Sequence, residues 1–401
     1  MFLEFSVKNF RTHIETRIPI YDLNIIIGSN NSGKSNFLSA IQHFTLLVRR
    51  ANPDERNPQE ARKLKETDFL PHRHRLLSDK PMEFSCKWQK NESKVEYCLE
   101  IFNQESKIFC NENIYIQLNE NSKMQKISNL ESEFMNLRSM IQKNSTAQEK
   151  QIAHEFFRDL ASIYYFNFQP ALLKGDIKYP NGNLTKENLK IAPQLGKEGG
   201  NLQPIIKLVY QNEKAVYDKF VLLLRKFVDS FYGITLKNDT VYWQFDLNKI
   251  PPKLEEFPPH VVSDGLLKAA AIALLASMRN PPALIMLEEI ENGVNQKNIQ
   301  YLLQWLSTIT GGDNSKTQVI ATTHSPSILK EFSDDLQKVF YFTLLPKGYK
   351  SLATDLNTLL INDVKAGRLE GDIIEKEGIE FVQVDPRELI KLFYMGIIGG
   401  I

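Results

Sequence analysis

The chain has 401 residues, a formal net charge of +1, and 42% hydrophobic and 24% charged residues. That length suits two or three ordinary domains or one enlarged α/β domain, and the composition supports a sizeable core. Near-neutral charge removes any global electrostatic case for nucleic acid, and no run of about 18 apolar residues marks a membrane span. Three cysteines, Cys86, Cys98 and Cys110, have neither disulfide nor metal-ligand spacing and read as plain thiols. The opening MFLEFSVKNF lacks a basic stretch followed by a long apolar core. It is therefore not expected to be a signal peptide, and a cytoplasmic location is expected.

Residues 1–27 read as two short strands, the second ending in the continuous apolar run LNIIIG of a strand buried on both faces. A glycine-bounded loop follows, then a helix from about Lys34 with Phe37, Leu38, Ile41, Phe44 and Leu47 or Val48 on one face. Gly28, Gly33, Lys34 and Ser35 fit the phosphate-loop pattern G-x-x-x-x-G-K-[ST]. The glycines let backbone N–H groups wrap a phosphate chain, and the helix N-terminus faces the same anion. Lys34 is expected on the β- and γ-phosphates, and the Ser35 hydroxyl on Mg²⁺.

From Arg49 to Lys80 the chain turns polar, with Pro53, Pro58 and Pro71, and reads as a connecting region. Arg49, Arg50 and the His72–Arg75 cluster are candidate basic contacts for nucleic acid, although such runs are usually a solvated surface. Met82–Leu118 alternates like an antiparallel meander with one solvated face. Residues 121–160 carry helical periodicity, too short for a long coiled coil. SIYYFNFQP (162–170) reads as a strand, and a Gly/Pro/Asn/Lys-rich excursion runs to Gly200. A long amphipathic helix with a break near Gln211 is expected over Leu202–Phe231, then strands near Ile234–Leu236 and Val241–Leu247.

Three further stretches carry chemistry. In ALIMLEEIENG an apolar strand ends in Glu288 and Glu289, where alternation lets one carboxylate serve Mg²⁺ and its neighbour polarise water. In TQVIATTHSP another strand ends before His324, a residue able to contact a γ-phosphate. Ser263, Asp264 and Gly265 open an Ala/Leu-rich helix. Read blandly this is an N-cap, and read functionally it is a second phosphate clamp.

The set resembles the ABC-type ATPase heads of the SMC/RecF/OLD group, in particular the short bacterial RecF-like ATPases. GSNNSGKSN is similar to that group's phosphate loop, and the resemblance places nucleotide on Gly28, Asn30, Asn31, Ser32, Gly33, Lys34, Ser35 and Asn36. Asn9, Phe10 and Arg11 resemble the group's N-terminal NFR motif, and LGKEGGNLQPIIKLV (195–209) the opening of its helical lobe. Ser263-Asp264-Gly265 resembles its signature turn, LIMLEEIENG its acidic strand end, and His324 its switch histidine. Departures are Glu288 for the usual metal-side aspartate, Ile290 for the following proline, and Val294-Asn295-Gln296 where His-Pro is usual. For the glutamine that joins nucleotide to the lobe in that group, the resemblance marks no single position, and Gln169 and Gln89 are the two candidates.

The resemblance implies an α/β head: a mixed, largely parallel core with the phosphate loop, an antiparallel β subdomain, an inserted helical lobe and no long coiled coil. The division expected is 1–120, with the loop and β subdomain; 121–260, the helical lobe; 261–345, with signature turn and acidic strand; and 346–401, a helical tail without a TOPRIM nuclease module. It implies ATP and Mg²⁺, with Ser35 and Glu288 on the metal, Glu289 as general base and His324 as sensor. Two copies would close on ATP, with Ser263, Asp264 and Gly265 of one facing the nucleotide of the other. Slow hydrolysis is expected, in nucleic-acid-linked or anti-phage work beside a separately encoded effector. The alternative is a nucleotide-gated scaffold that holds and releases a partner with little turnover.

Overall fold

The computed structural model describes residues 1–51, 62–77, 79–128, 131–175, 195–248, 253–311, 317–376 and 378–398. The chain divides into two compact units, Met1–Ile163 with Phe332–Ile401, and Tyr164–Glu331.

The first unit opens with the hairpin β1 (Phe2–Phe10) and β2 (His13–Pro19), followed by β3 (Leu23–Gly28) and α1 (Lys34–Arg50). Every residue of β3 is buried, as its unbroken apolar run requires. β4 (Met82–Lys90), β5 (Ser93–Gln104), β6 (Lys107–Gln117) and β7 (Gln125–Ser128) continue the sheet, in the order β2-β1-β4-β5-β6-β7. Strict alternation of buried and half-exposed residues along β4–β6 gives the sheet one apolar face. Against that face lie α1 and α3 (Ala147–Ala161), preceded by α2 (Leu137–Asn144). Aromatic pairs fill the joint: Phe44 stacks on Phe84 at 5.5 Å and on Tyr97 at 5.6 Å, and Phe156 meets Tyr97 edge-on at 5.8 Å. Each such ring contributes roughly 1.5–3 kcal/mol through burial. The buried Glu112 accepts from Tyr97 Oη at 2.7 Å and from the amides of Asn136 and Leu137 where α2 begins, and burial raises its pKa.

The second unit begins with β8 (Ile163–Phe166, its first residue still in the first unit) and the short α4 (Pro170–Leu173). Helices α5 (Leu202–Asn212) and α6 (Lys214–Phe227) follow. The expected long helix is thus two, parted at Glu213, and it stops before Phe231 because that residue starts β9 (Phe231–Lys237). With β10 (Thr240–Asp246) and β11 (Leu254–Phe257), β9 makes a three-stranded antiparallel sheet. Next come α7 (Asp264–Ser277), β12 (Leu284–Leu287), α8 (Ile299–Gly311) and β13 (Gln318–Thr322). β12 neighbours β8 on one side and runs parallel to β13 on the other. All of α7 after its first residue is buried, the state expected of a helix that is apolar all round.

The chain then returns to the first unit. β14 (Val339–Leu345) runs parallel to β3 and antiparallel to β15 (Lys350–Asp355). The segment expected as a helical tail holds α9 (Leu356–Lys365) and α10 (Pro386–Tyr394), but also β15 and a hairpin of β16 (Asp372–Lys376) and β17 (Ile379–Gln383). Its strands alternate only weakly, so composition suggested helix where pairing across Gly378 (φ 78°) decides for a hairpin. The architecture is the expected α/β head, with parallel strands carrying the loop, an antiparallel β subdomain, and no long coiled coil among the described residues. No described helix is long and apolar enough to cross a membrane. Most of the excursion before Gly200, with Pro53 and Pro58, lies outside the described residues.

Candidate nucleotide site

In the first unit, the loop between β3 and α1 is shaped by two glycines. Gly28 has φ 150° and Gly33 φ 106°. A Cβ on Gly28 would overlap the Phe342 carbonyl, and one on Gly33 would overlap Ser351 Oγ, so β14 and β15 press directly on the loop. Asn31 also takes the left-handed conformation (φ 64°). Gly33 caps α1 and brings no side chain to bond its N-terminal amides, and the first turn holds no acidic residue to compete with an anion. Lys34 is 6% exposed, and its ammonium folds back to donate to the carbonyls of Gly28 (2.7 Å) and Ser29 (2.9 Å). The Ser32 hydroxyl is buried without a hydrogen-bond partner. A cradle too tight for a side chain, a parked cation and an orphaned hydroxyl together fit a phosphate chain. Asn30 and Ser35 lie exposed on the loop and the first helical turn.

Residues outside the loop hold it. His13 is fully buried; its Nε2 meets the Gly33 carbonyl at 3.0 Å and its Nδ1 meets Thr16 Oγ1 at 2.8 Å. A carbonyl only accepts, so Nε2 carries the hydrogen and Nδ1 accepts from the threonine. Burial lowers the imidazole's pKa to about 4, with Arg11 and His74 acting in the same direction. Thr12 Oγ1 bonds Ser351 Oγ at 2.7 Å and accepts from Asn36 Nδ2 at 3.0 Å, and Asn36 Oδ1 accepts from Arg11. Asn9 reaches elsewhere: its amide donates to the carbonyls of Leu77, Lys80 and Pro81, and its Oδ1 accepts from the His74 amide. The NFR motif therefore ties His72, His74, Leu77, Lys80 and Pro81 to the end of β1. Arg49, a candidate nucleic-acid contact, is turned inward onto the carbonyls of Ala161 (2.6 Å) and Ile163 (2.5 Å). His72 stacks on Phe10 and His74 bonds the Tyr349 carbonyl, so that cluster is largely structural.

In the second unit, Glu288 and Glu289 follow β12. Glu288 is 8% exposed and accepts from Tyr165 Oη and from Asn167 Nδ2 (2.9 Å), while its amide donates to the Phe166 carbonyl. Gln169 donates to Asn167 at 3.1 Å, which brings it into the same chain of bonds. The other candidate, Gln89, bonds the Asn91 carbonyl at a β-hairpin of the first unit. Glu289 is left-handed (φ 47°), its amide donates to Thr322 Oγ1 at 2.9 Å, and its carboxylate accepts from Asn292. Ile290 donates its amide to the Thr322 carbonyl at 3.2 Å, a bond that a proline could not make. The His324 amide donates to Glu291 Oε1 at 2.6 Å, while Glu291 Oε2 is buried and unpartnered.

Ser263 caps α7, its hydroxyl accepting from the Leu266 amide at 3.4 Å, and remains exposed. Asp264 pairs with Lys174 at 2.6 Å. A Cβ on Gly265 would overlap the Gly293 carbonyl, so the S-D-G turn touches the acidic loop itself. One turn on, Lys268 is 6% exposed and donates to the Glu289 carbonyl. Burial pulls this ammonium down to about 8, against the carboxylates of Glu291, Glu289 and Glu288. Sequence reasoning missed His13, Tyr165, Asn167, Lys268 and Glu291. A lone lysine inside DGLLKAAAIALLAS was the most readable of these signals.

No curated protein matches the chain. Among solved structures, the SMC head domain from Thermotoga maritima aligns over 88% of this chain and 98% of its own length, at 14% identity and a TM-score of 0.38. Residues 23–330 match the family described as "AAA domain, putative AbiEii toxin, Type IV TA system", a span from the phosphate loop's strand to just past His324. The chain belongs to that family of AAA-type ATPase domains.

Proposed function

We propose that the protein binds ATP with Mg²⁺, hydrolyses it slowly and pairs with a second copy on ATP. The observation that carries this reading is the phosphate cradle, too tight for a side chain at Gly28 or Gly33, with Lys34 parked on two loop carbonyls and a glycine capping α1. Lys34 would exchange those carbonyls for phosphate oxygens, and Asn30, Asn31, Ser32, Gly33 and Asn36 would complete the cradle. Bound Mg²⁺ would neutralise charge on the β- and γ-phosphates, with Ser35 and Glu288 as its protein ligands. Glu289 would orient and deprotonate the attacking water, and His324 would report the γ-phosphate. Exposed Ser263, at the positive end of a 14-residue helix, is suited to an anion presented by another copy, with Asp264 and Gly265 shaping the turn. A cytoplasmic role beside a separately encoded effector, in defence or on nucleic acid, accords with a family described by toxin–antitoxin systems.

A second reading has its own support. Glu288 spends one oxygen on Tyr165 and Asn167, which suits a scaffold that binds nucleotide tightly and turns it over little. Glu289→Gln separates the readings. We expect turnover to fall about a hundredfold or more while ATP accumulates in a dimer, measured by phosphate release and light scattering. A Glu289→Gln protein that hydrolyses at the wild-type rate would falsify the assigned role.

A further inference from the structure

The second unit contains a buried cation to which the proposed chemistry gives no part. Lysines near a surface normally lay their stems on apolar neighbours and keep the ammonium in water. Lys268 does the reverse: it is flanked by the buried Leu267 and Ala269, and its ammonium bonds the main-chain carbonyl of Glu289. That carbonyl belongs to a residue held in the left-handed region, which costs a non-glycine residue roughly 1 kcal/mol and persists only when surroundings enforce it.

The same helix is joined to the carboxylate pair by two more routes. Gly265 packs on the Gly293 carbonyl without room for a side chain, fixing the far end of the acidic loop. Asp264 pairs with Lys174, the residue just after α4; Gln169, just before that helix, bonds Asn167 through its amide, and the Asn167 amide bonds Glu288. The bonds close a circuit from Glu288 through α4 and α7 to Glu289.

We propose that Lys268 is a positioning residue: its bond to the Glu289 carbonyl holds the left-handed turn that aims the Glu289 carboxylate, and makes the S-D-G turn and the carboxylate pair one rigid element. Whatever engages Ser263 is thereby transmitted to Glu289 without any intervening loop. The proposal rests on Glu289 acting on the attacking water.

Lys268→Met removes the donor at nearly constant volume. Expected are a kcat lower by about a hundredfold, an ATP Kd within about twofold of wild type, and faster amide exchange confined to residues 288–293. Lys268→Arg, which keeps charge and donors, should recover most of the turnover and the exchange protection. Wild-type kcat and exchange in Lys268→Met would overturn the proposal. So would a joint loss of ATP affinity and melting temperature in both variants, the signature of a merely structural lysine. If Glu289→Gln leaves turnover unchanged, the reading of Glu289 fails instead, and the exchange measurement alone then decides whether Lys268 holds the turn.

Discussion

The two candidate functional regions, the phosphate loop of the first unit and the acidic cluster of the second, are built on different principles. The phosphate loop is made of backbone: two glycines and the loop carbonyls set the shape, and the side chains around it press from outside. The acidic cluster is made of side chains: Tyr165, Asn167 and Lys268 each bond an atom of the Glu288 carboxylate or of the turn beside it, and Glu291 holds the His324 amide. A backbone site tolerates change around it but not within it. A side-chain site spreads its precision over many positions, each replaceable at a measurable cost.

The contrast is broken most directly at Gly33. Gly33→Ala must place a methyl where Ser351 Oγ lies and hold alanine at φ 106°, so ATP affinity should drop about a hundredfold, ~3 kcal/mol, by calorimetric titration. Wild-type affinity in that variant would show that the loop is not the rigid backbone cradle described.

His13 sharpens the comparison, because its support of the loop depends on a neutral ring. Its folded pKa of about 4 lies below the ordinary value of 6.5, so between those values the unfolded chain binds more protons than the folded one. The stability from His13 is therefore complete above about pH 6.5 and is lost as pH falls toward 4, on the order of 3 kcal/mol in all. Urea midpoints across that range should fall in wild type and fall less in His13→Gln. Equal slopes would count against a buried neutral imidazole.

The smallest expected effect lies in the acidic cluster. Ile290→Pro installs the residue that the ATPase heads usually carry, yet here it deletes the bond to the Thr322 carbonyl and a fully buried side chain. A loss of about 2–3 kcal/mol is expected in thermal unfolding. An unchanged melting temperature would mean that the loop is not tied to β13 through this amide.

What could be read from sequence follows the same division. Gly28 to Ser35 form a contiguous pattern, so strand, loop and helix were visible together, as were the apolar strands ending at Glu288 and before His324. His13 lies 20 positions from Gly33, Tyr165 lies 123 from Glu288, and Lys268 lies 21 from Glu289. Pairing at such separations is a property of topology, and no local period announces it. Arg49 is hard to read for a related reason, since charge suggests surface until carbonyls to receive it are known, whereas Arg50 and Arg75 are exposed as charge suggests.

The hydroxyl pair Thr12–Ser351 spans 339 positions. A growing chain carries the complete phosphate-loop motif long before the residue that fills the space against Gly33. β14 and β15 must be synthesised and docked before the loop has its walls. Nucleotide binding is thus a late event in the life of the nascent chain, and a prematurely terminated product carries the motif without the site.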